Sequence, residues 1–326
     1  MKKTIFSLIA GLTLVLGAAS CSENGEEPVP APVVNPDGTR AVTLTTELPA
    51  GIRSRANAET YYGDGSTLAP RLDYAIFEGD SKVPVICESK HGEVGQTNFS
   101  ISVNLNPQKQ YKVYFVHQWY AGSAYYNVDF SSTENYCNIT KTSYSGTAAE
   151  STDLFAGLFD IKTDGNTFTL KRPVAQISIV TDEDLSAFDL TTFKTRVGMS
   201  AHPHQYNEVE KGIDKTTSGL ATVTTAYNRF DGNYMVYNGR QLKYLFVDYV
   251  FEYDGNVDFT VFFSDASGNI STKSVKLDKI EANTHYIIMP KGGGESGNEP
   301  GGSIVGSSTS LTVVKDTNFT NTAEMN

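Results

Sequence analysis

Apolar and polar residues alternate with a period of two along many short segments of this chain. In AVTLTTEL (41–48), Val42, Leu44 and Thr46 share one face, and the other face is polar. Since successive side chains of a strand point to opposite faces, this pattern predicts a half-buried β-strand. Ten further segments have the length and composition of strands: LDYAIFE (72–78), VPVICE (83–88), NFSISVNL (98–105), YKVYFVHQW (111–119), TFTLKR (167–172), AQISIVT (175–181), KYLFVDYVFEY (243–253), DFTVFFS (258–264), TKSVKL (272–277) and THYIIM (284–289).

Turn-forming residues separate most of these segments, as in DGN (164–166) and SGN (267–269). Short strands at close intervals are typical of β-sandwiches, so we predict an all-β fold. A chain of 326 residues is long enough for about two domains. We place them at 41–181 and 182–290.

The first residues have the features of an export signal. Lys2 and Lys3 precede an apolar run, residues 4–17, that is too short for a permanent membrane anchor. AASC (18–21) then resembles a bacterial lipobox, in which the cysteine is acylated and becomes the mature N-terminus. We predict a lipoprotein signal peptide over 1–20, acylation of Cys21 with palmitate-type chains, and a flexible tether over 21–40. Ordinary cleavage beside a chance cysteine is the alternative.

The net charge of −11 limits the partners. A nucleic-acid-binding surface needs basic residues that neutralise phosphates, so we expect no nucleic-acid partner. The acidity is typical of a protein that faces solvent, and it names no partner by itself.

The chain ends with a hinge followed by a strand-like tail. KGGGESGNEPGG (291–302) has the composition of a flexible linker. The tail (303–326) regains strand character, with Leu311 and Val313 on one face. A strand on a tether can pair within its own fold or with a neighbouring molecule.

Residues that could carry chemistry are few and scattered. His202 and His204 form the only close histidine pair, but a metal site needs three or four converging ligands, and Pro203 favours a loop. GDS (79–81) has no identifiable base to activate its serine. We therefore expect no catalytic residue, metal or cofactor, and no enzymatic activity.

Two cysteines remain besides Cys21, namely Cys87 and Cys137. An exported protein meets oxidising conditions, so these two could form one disulfide. Buried free thiols are about as common, and the sequence does not decide between the two.

Four segments, taken in order, resemble the fimbrillins, the lipoprotein subunits of type V pili: YKVYFVHQW (111–119), LKRPVAQISIVTDEDL (170–185), KYLFVDYVFEYDGNVDFTVFFSDASGN (243–269) and IEANTHYIIM (280–289). LKRPVAQI (170–177) is the most specific, and in the family a strand of this kind closes the first domain. The resemblance implies two tandem transthyretin-like β-sandwich domains behind the lipobox.

The resemblance also implies a way to polymerise. In fimbrillins an arginine-specific protease cuts after the first strand, this strand leaves its groove, and a strand of the next subunit replaces it. The corresponding leaving strand here is 41–48, and Arg53 and Arg55 follow it. Cleavage at Arg40 would spare the strand. SSTSLTVV (307–314), with Leu311 and Val313, is the candidate donor strand.

We therefore expect a cell-surface lipoprotein of the outer membrane, acting as a structural or adhesive pilus subunit. Its partners would be sister subunits, the membrane that holds its lipid, and a host or glycan ligand. The alternative is a non-polymerising, glycan-binding surface lipoprotein of similar build. In that case Trp119 or Tyr120, in WYAGSAYY (119–126), would stack on sugar rings, although core packing is the commoner role of such residues.

Overall fold

The computed structural model describes residues 35–36, 38–49, 69–120, 124–142, 152–163, 165–184, 192–201, 203–214, 221–223, 234–237, 240–291, 303–304 and 310–316. In these residues the chain forms twenty β-strands and almost no helix, so the predicted all-β class is confirmed. No helix in the described part is long and apolar enough to cross a membrane.

The first β-sandwich packs two sheets face to face. Its strands are β1 (Arg40–Glu47), β2 (Ala69–Glu78), β3 (Pro84–His91), β4 (Asn98–Leu105), β5 (Tyr111–Tyr120), β8 (Leu154–Asp160) and β9 (Thr167–Thr169). One sheet has the order β4-β1-β9 and the other the order β3-β2-β5-β8. Inward-facing apolar residues of both sheets, among them Leu44, Ile101 and Phe115, form its core.

The second β-sandwich contains most of the C-terminal half. Its strands are β10 (Val174–Thr181), β11 (Lys194–Met199), β14 (Ala221–Val223), β15 (Tyr234–Tyr237), β16 (Arg240–Phe251), β17 (Val257–Asp265), β18 (Gly268–Leu277), β19 (His285–Pro290) and β20 (Leu311–Asp316). The sheet orders are β15-β16-β10-β19-β20 and β14-β11-β17-β18. Ile177, Phe259 and Ile288 belong to the core between them.

A further sheet, here called the connecting sheet, takes strands from both halves of the chain. It contains β6 (Tyr126–Asp129), β7 (Asn138–Lys141), β12 (Pro203–Asn207) and β13 (Lys211–Asp214) in the order β13-β12-β7-β6. It packs on the outer face of the β3-β2-β5-β8 sheet. The apolar cluster there joins Tyr114 of β5, Ile139 of β7, Tyr206 of β12 and Phe251 of β16. This cluster therefore links the two sandwiches.

The segment LKRPVAQI (170–177), here called the crossover segment, passes from one sandwich to the other. Leu170 lies in the first core, and Ala175 and Ile177 lie in the second. We predicted a boundary after residue 181, which assigns β10 to the first domain. The backbone hydrogen bonds of β10 join it to β16 and β19, which follow it in the chain, and the boundary itself stays a prediction.

Arg172 fixes the crossover segment through a buried bidentate ion pair. Its Nε and Nη2 atoms donate to the two carboxylate oxygens of Asp153, at 2.9 and 2.8 Å, and both side chains are fully buried. Nη1 also donates to Oδ1 of Asn283, just before β19, at 3.3 Å. The pair therefore ties the start of β8 to the second sandwich.

Replacing Arg172 should destabilise the protein strongly. The Arg172→Met variant removes the positive charge that balances the buried Asp153 carboxylate, which should lower the free energy of unfolding by about 3–5 kcal/mol. Urea unfolding at neutral pH measures this loss. Lys109→Met is the matched control, because it removes an exposed ion pair with Glu78 and should change stability little. Equal losses in the two variants would contradict this role of Arg172.

His117 is a buried, neutral histidine in the first core. Its side chain is 0 % exposed, and its ring lies against those of Phe99, Trp119 and Phe155. Neither ring nitrogen bonds another residue that the structure describes. Burial lowers the pKa of His117 to about 4, so the imidazole stays uncharged at neutral pH.

Stability should therefore fall as the pH drops from about 6.5 to about 4. The unfolded chain binds a proton near the ordinary histidine pKa, while the folded chain does not. This difference lowers the free energy of unfolding by about 3 kcal/mol once the pH has reached about 4. His117→Phe should reduce this loss, as measured by melting temperature at pH 7.5 and 4.5. His91→Phe, at an exposed position, is the control and should keep the acid sensitivity of the parent chain.

Candidate functional site

β1 is the central strand of its sheet, held by neighbours that are remote in sequence. It pairs antiparallel with β4 along its whole length, from Arg40 opposite Leu105 to Glu47 opposite Asn98. On its other side it pairs parallel with β9 over three residues. β2, which follows β1 in the chain, lies in the facing sheet. No hairpin therefore joins β1 to its two neighbours.

The buried face of β1 closes the first core. Val42, Leu44 and Thr46 are buried and the alternate residues are not, so the predicted alternation is confirmed. Neighbouring strands lie about 4.8 Å apart, so without β1 a slot about 10 Å wide would separate β4 from β9. The slot would expose apolar core residues such as Ile101 and Phe168. Only another extended segment could satisfy both of its edges.

β20 is an edge strand that pairs within its own fold. It runs antiparallel to β19, from Leu311 opposite Pro290 to Asp316 opposite His285. Leu311 is buried in the second core, and Val313 packs against it. Because β20 bonds to one neighbour, its departure would break one ladder and leave the order β15-β16-β10-β19 in place.

The sequence of the tail repeats the spacing of the buried residues of β1. β1 places Val42, Leu44 and Thr46 in the core. The tail carries Thr309, Leu311 and Val313 at the same spacing, with Leu311 in the middle. In either strand direction, Leu311 would therefore take the central position of Leu44. This register keeps the charged Lys315 outside the three inward sites.

The predicted cleavage and lipid sites fall mostly outside the described residues. Cys21, Arg53 and Arg55 all lie there. Arg40 is the first residue of β1, where its backbone is paired with β4 and its side chain donates to the carbonyl of Thr163. A bond within a paired strand is a poor protease substrate, so the position of Arg40 in β1 disfavours cleavage there.

The two cysteines in the described residues, Cys87 and Cys137, are free thiols. Cys87 is exposed on β3, whereas Cys137 is buried and its burial raises the pKa of the thiol. The sequence left open whether Cys87 and Cys137 form a disulfide, and that pairing stays a prediction.

The aromatic residues that the sequence suggested for sugar binding pack inside the protein. Trp119 is 0 % exposed, so it cannot stack on a sugar, and the half-buried Tyr120 packs against His91. The predicted loop at Pro203 was wrong: Pro203 begins β12, a position where a strand tolerates proline. The described residues contain no group of three or more His, Cys, Asp or Glu side chains that could hold a metal.

Comparison with curated proteins found no match. Among solved structures, a candidate cell adhesion protein from Bacteroides eggerthii shares 14 % identity over 84 % of this chain and 94 % of its own, with a TM-score of 0.42. The tip fimbrial protein Mfa3 from Porphyromonas gingivalis shares 9 % identity over 84 % of this chain and 99 % of its own, with a TM-score of 0.45. The fimbrial anchor protein Mfa2 from the same organism shares 9 % identity over 84 % and 96 %, with a TM-score of 0.42.

One family model matches residues 34–288, which include all of β1 to β18 and most of β19. The match begins just before β1 and ends within β19, so it spans both sandwiches and the connecting sheet. This chain therefore belongs to the family of unknown function DUF6562.

Proposed function

We propose that this protein is a non-enzymatic structural subunit of the cell surface that joins copies of itself by strand exchange. The observation that carries the proposal is the central position of β1 between β4 and β9, two strands to which it is not joined by a hairpin. Because no hairpin connects β1 to these strands, β1 can leave without displacing them. It leaves behind a slot with two unpaired edges.

A cut after β1 is what makes this exchange favourable. While β1 remains tethered, its high effective concentration keeps it in the slot against any competing strand. Burial of Val42 and Leu44 adds about 1.5–3 kcal/mol for each side chain. Cleavage at Arg53 or Arg55 turns β1 into a separate peptide, and dilution then favours its loss. Cleavage at Arg40 would not have this effect, because β1 would stay on the cut chain.

The tail supplies the replacing strand. It follows the glycine-rich hinge (291–302), and β20 occupies a sheet edge from which it can detach. Leaving this edge breaks one ladder, whereas entering a slot between β4 and β9 forms backbone bonds on both sides. The uncut chain, with β1 and β20 both in place, then corresponds to a resting precursor.

The sequence of the N-terminal segment supports a location of this assembly at the outer membrane. A signal peptide over 1–20 and acylation of Cys21 would anchor the precursor, because several acyl chains give stable membrane attachment. Cleavage at Arg53 or Arg55 would then separate the assembled subunit from its lipid. The surface location and the polymer are parts of one hypothesis, because the same cut would free β1 and would separate the assembled subunit from its lipid.

An arginine-specific protease should convert the purified precursor into multimers. We expect a released N-terminal fragment that ends at Arg53 or Arg55, and ladders that resist mild detergent on gels. The Arg53→Gln/Arg55→Gln double variant should remain monomeric because β1 cannot leave. Arg196→Gln, which changes an exposed arginine of β11, is the control and should polymerise normally. Ladders from the double variant would refute the role of this cut.

A synthetic peptide of residues 307–316 should block polymerisation of the cleaved protein. It should fill the vacated slot and reduce the ladders in proportion to its concentration, measured by gel densitometry. The same peptide with Leu311→Asp should fail, because it places a carboxylate at the buried position of Leu44. Thr312→Asp, which faces the opposite side, should still block. Equal effects of the three peptides would show that the tail is not the donor.

A further inference from the structure

Lys141 and Asp248 form a buried ion pair between the connecting sheet and the second sandwich. Lys141 is the last residue of β7 and Asp248 lies in β16, and their side chains are 1 % and 3 % exposed. The Nζ atom of Lys141 donates to Oδ1 of Asp248 at 2.6 Å and to the backbone carbonyl of Tyr249 at 2.6 Å. An amine and a carboxyl group are therefore held in contact where solvent has almost no access.

The two carboxylate oxygens of Asp248 have different surroundings. Besides the ammonium of Lys141, Oδ1 accepts the backbone N–H of Tyr249 at 2.8 Å and the hydroxyl of Thr152 at 3.3 Å. Oδ2 is buried and accepts no hydrogen bond from the residues that the structure describes. A buried polar atom that has lost water without gaining a partner is costly. The ion pair thus satisfies one oxygen of this carboxylate and leaves the other unsatisfied.

Burial favours the uncharged forms of the two groups. It lowers the pKa of the Lys141 amine, and the nearby carboxylate of Asp248 only partly opposes this shift. Transfer of one proton from the ammonium to the carboxylate removes both charges from the interior without the help of an outside group. The products are a free amine, which is a nucleophile, and a carboxylic acid in contact with it.

The donors on Oδ1 are placed where they would assist attack on this acid. When an amine adds to a carboxyl carbon, negative charge develops on the oxygen that remains. The N–H of Tyr249 and the O–H of Thr152 already point to Oδ1, so they would stabilise that charge without rearrangement. Oδ2, which no described residue holds, is then the oxygen that is able to leave.

We propose that Lys141 and Asp248 condense in the folded protein to an intramolecular isopeptide bond. The Nζ atom forms a bond to Cγ of Asp248, and the bond from Cγ to Oδ2 breaks. Oδ2 leaves as water with the proton of the acid and one proton of the amine, so the step needs no oxidant, cofactor or further reactant. Fixed contact between the two groups speeds the attack, and the closed interior excludes the water that would reverse it.

The product would satisfy the atoms that the ion pair does not. The amide oxygen keeps the donors of Oδ1, the remaining N–H of Lys141 keeps the carbonyl of Tyr249, and the unsatisfied Oδ2 is gone. The bond closes a loop of 107 residues and ties the connecting sheet covalently to the second sandwich. Both residues lie outside β1 and β20, so the link does not depend on strand exchange.

Peptide mapping of the full chain by mass spectrometry tests this bond. Trypsin cuts after lysine and arginine but not after an acylated lysine, so we expect a branched peptide that joins 113–162 to 244–273. Its mass should be that of the two segments less one water molecule, and its fragment ions should place the branch at Lys141 and Asp248. Separate peptides 113–141 and 244–273, without the branched form, would overturn the proposal.

Two lysine variants locate the reacting amine. Lys141→Arg keeps the positive charge, but a guanidinium stays protonated and should give no branched peptide. Lys112→Arg is the matched control, because Lys112 also lies 2.6 Å from a carboxylate, that of Asp80, whose side chain is 92 % exposed. This variant should keep the branch. A branched peptide that persists in Lys141→Arg would refute the site, and the map of the parent chain decides the matter even if that variant fails to fold.

Discussion

The buried pair of Arg172 and Asp153 is the constraint on which the arrangement of the two sandwiches depends. Asp153 lies at the start of β8 and Arg172 lies just before β10, and Asn283 adds a contact from the loop before β19. A charge removed from water has few acceptable geometries, since each lost hydrogen bond leaves an uncompensated ion. The pair therefore fixes where the chain leaves one core and enters the next. The connecting sheet joins the two sandwiches a second time, through its apolar cluster.

The slot of β1 has the opposite physical character. β1 contributes an apolar face and a full backbone ladder, but it brings no buried charge to the core. Another strand with similar inward residues can reproduce these interactions, because they depend on side-chain size and backbone geometry. An ion pair such as that of Arg172 could not be replaced in this way. The protein thus keeps its specific polar contacts at the junction and its generic apolar contacts where exchange is proposed.

Sequence periodicity predicted the strands that have one buried and one exposed face. β4 has the bounds expected, since its burial alternates at every residue. β10 is buried at all eight positions, so its pattern could not show which sheet would receive it. β14 is three residues long, too short for any period to be visible. Its strand conformation depends on β11, its partner in the sheet.

The junction between the sandwiches could not be predicted because its residues come from separate parts of the chain. Asp153, Arg172 and Asn283 belong to three different segments, and each has an ordinary sequence context. What joins them is a set of hydrogen bonds that exists only in the folded state. Trp119 shows the converse, since a conspicuous aromatic residue became part of the core.

The pairing of β1 with β9 has a consequence for folding during synthesis. A chain is synthesised from its N-terminus, so β1 leaves the ribosome long before the residues that will flank it on the β9 side. Contacts between segments far apart in sequence form slowly. Until β9 is available, β1 has one unpaired edge and an uncovered apolar face. A holding chaperone would protect the nascent chain over this interval.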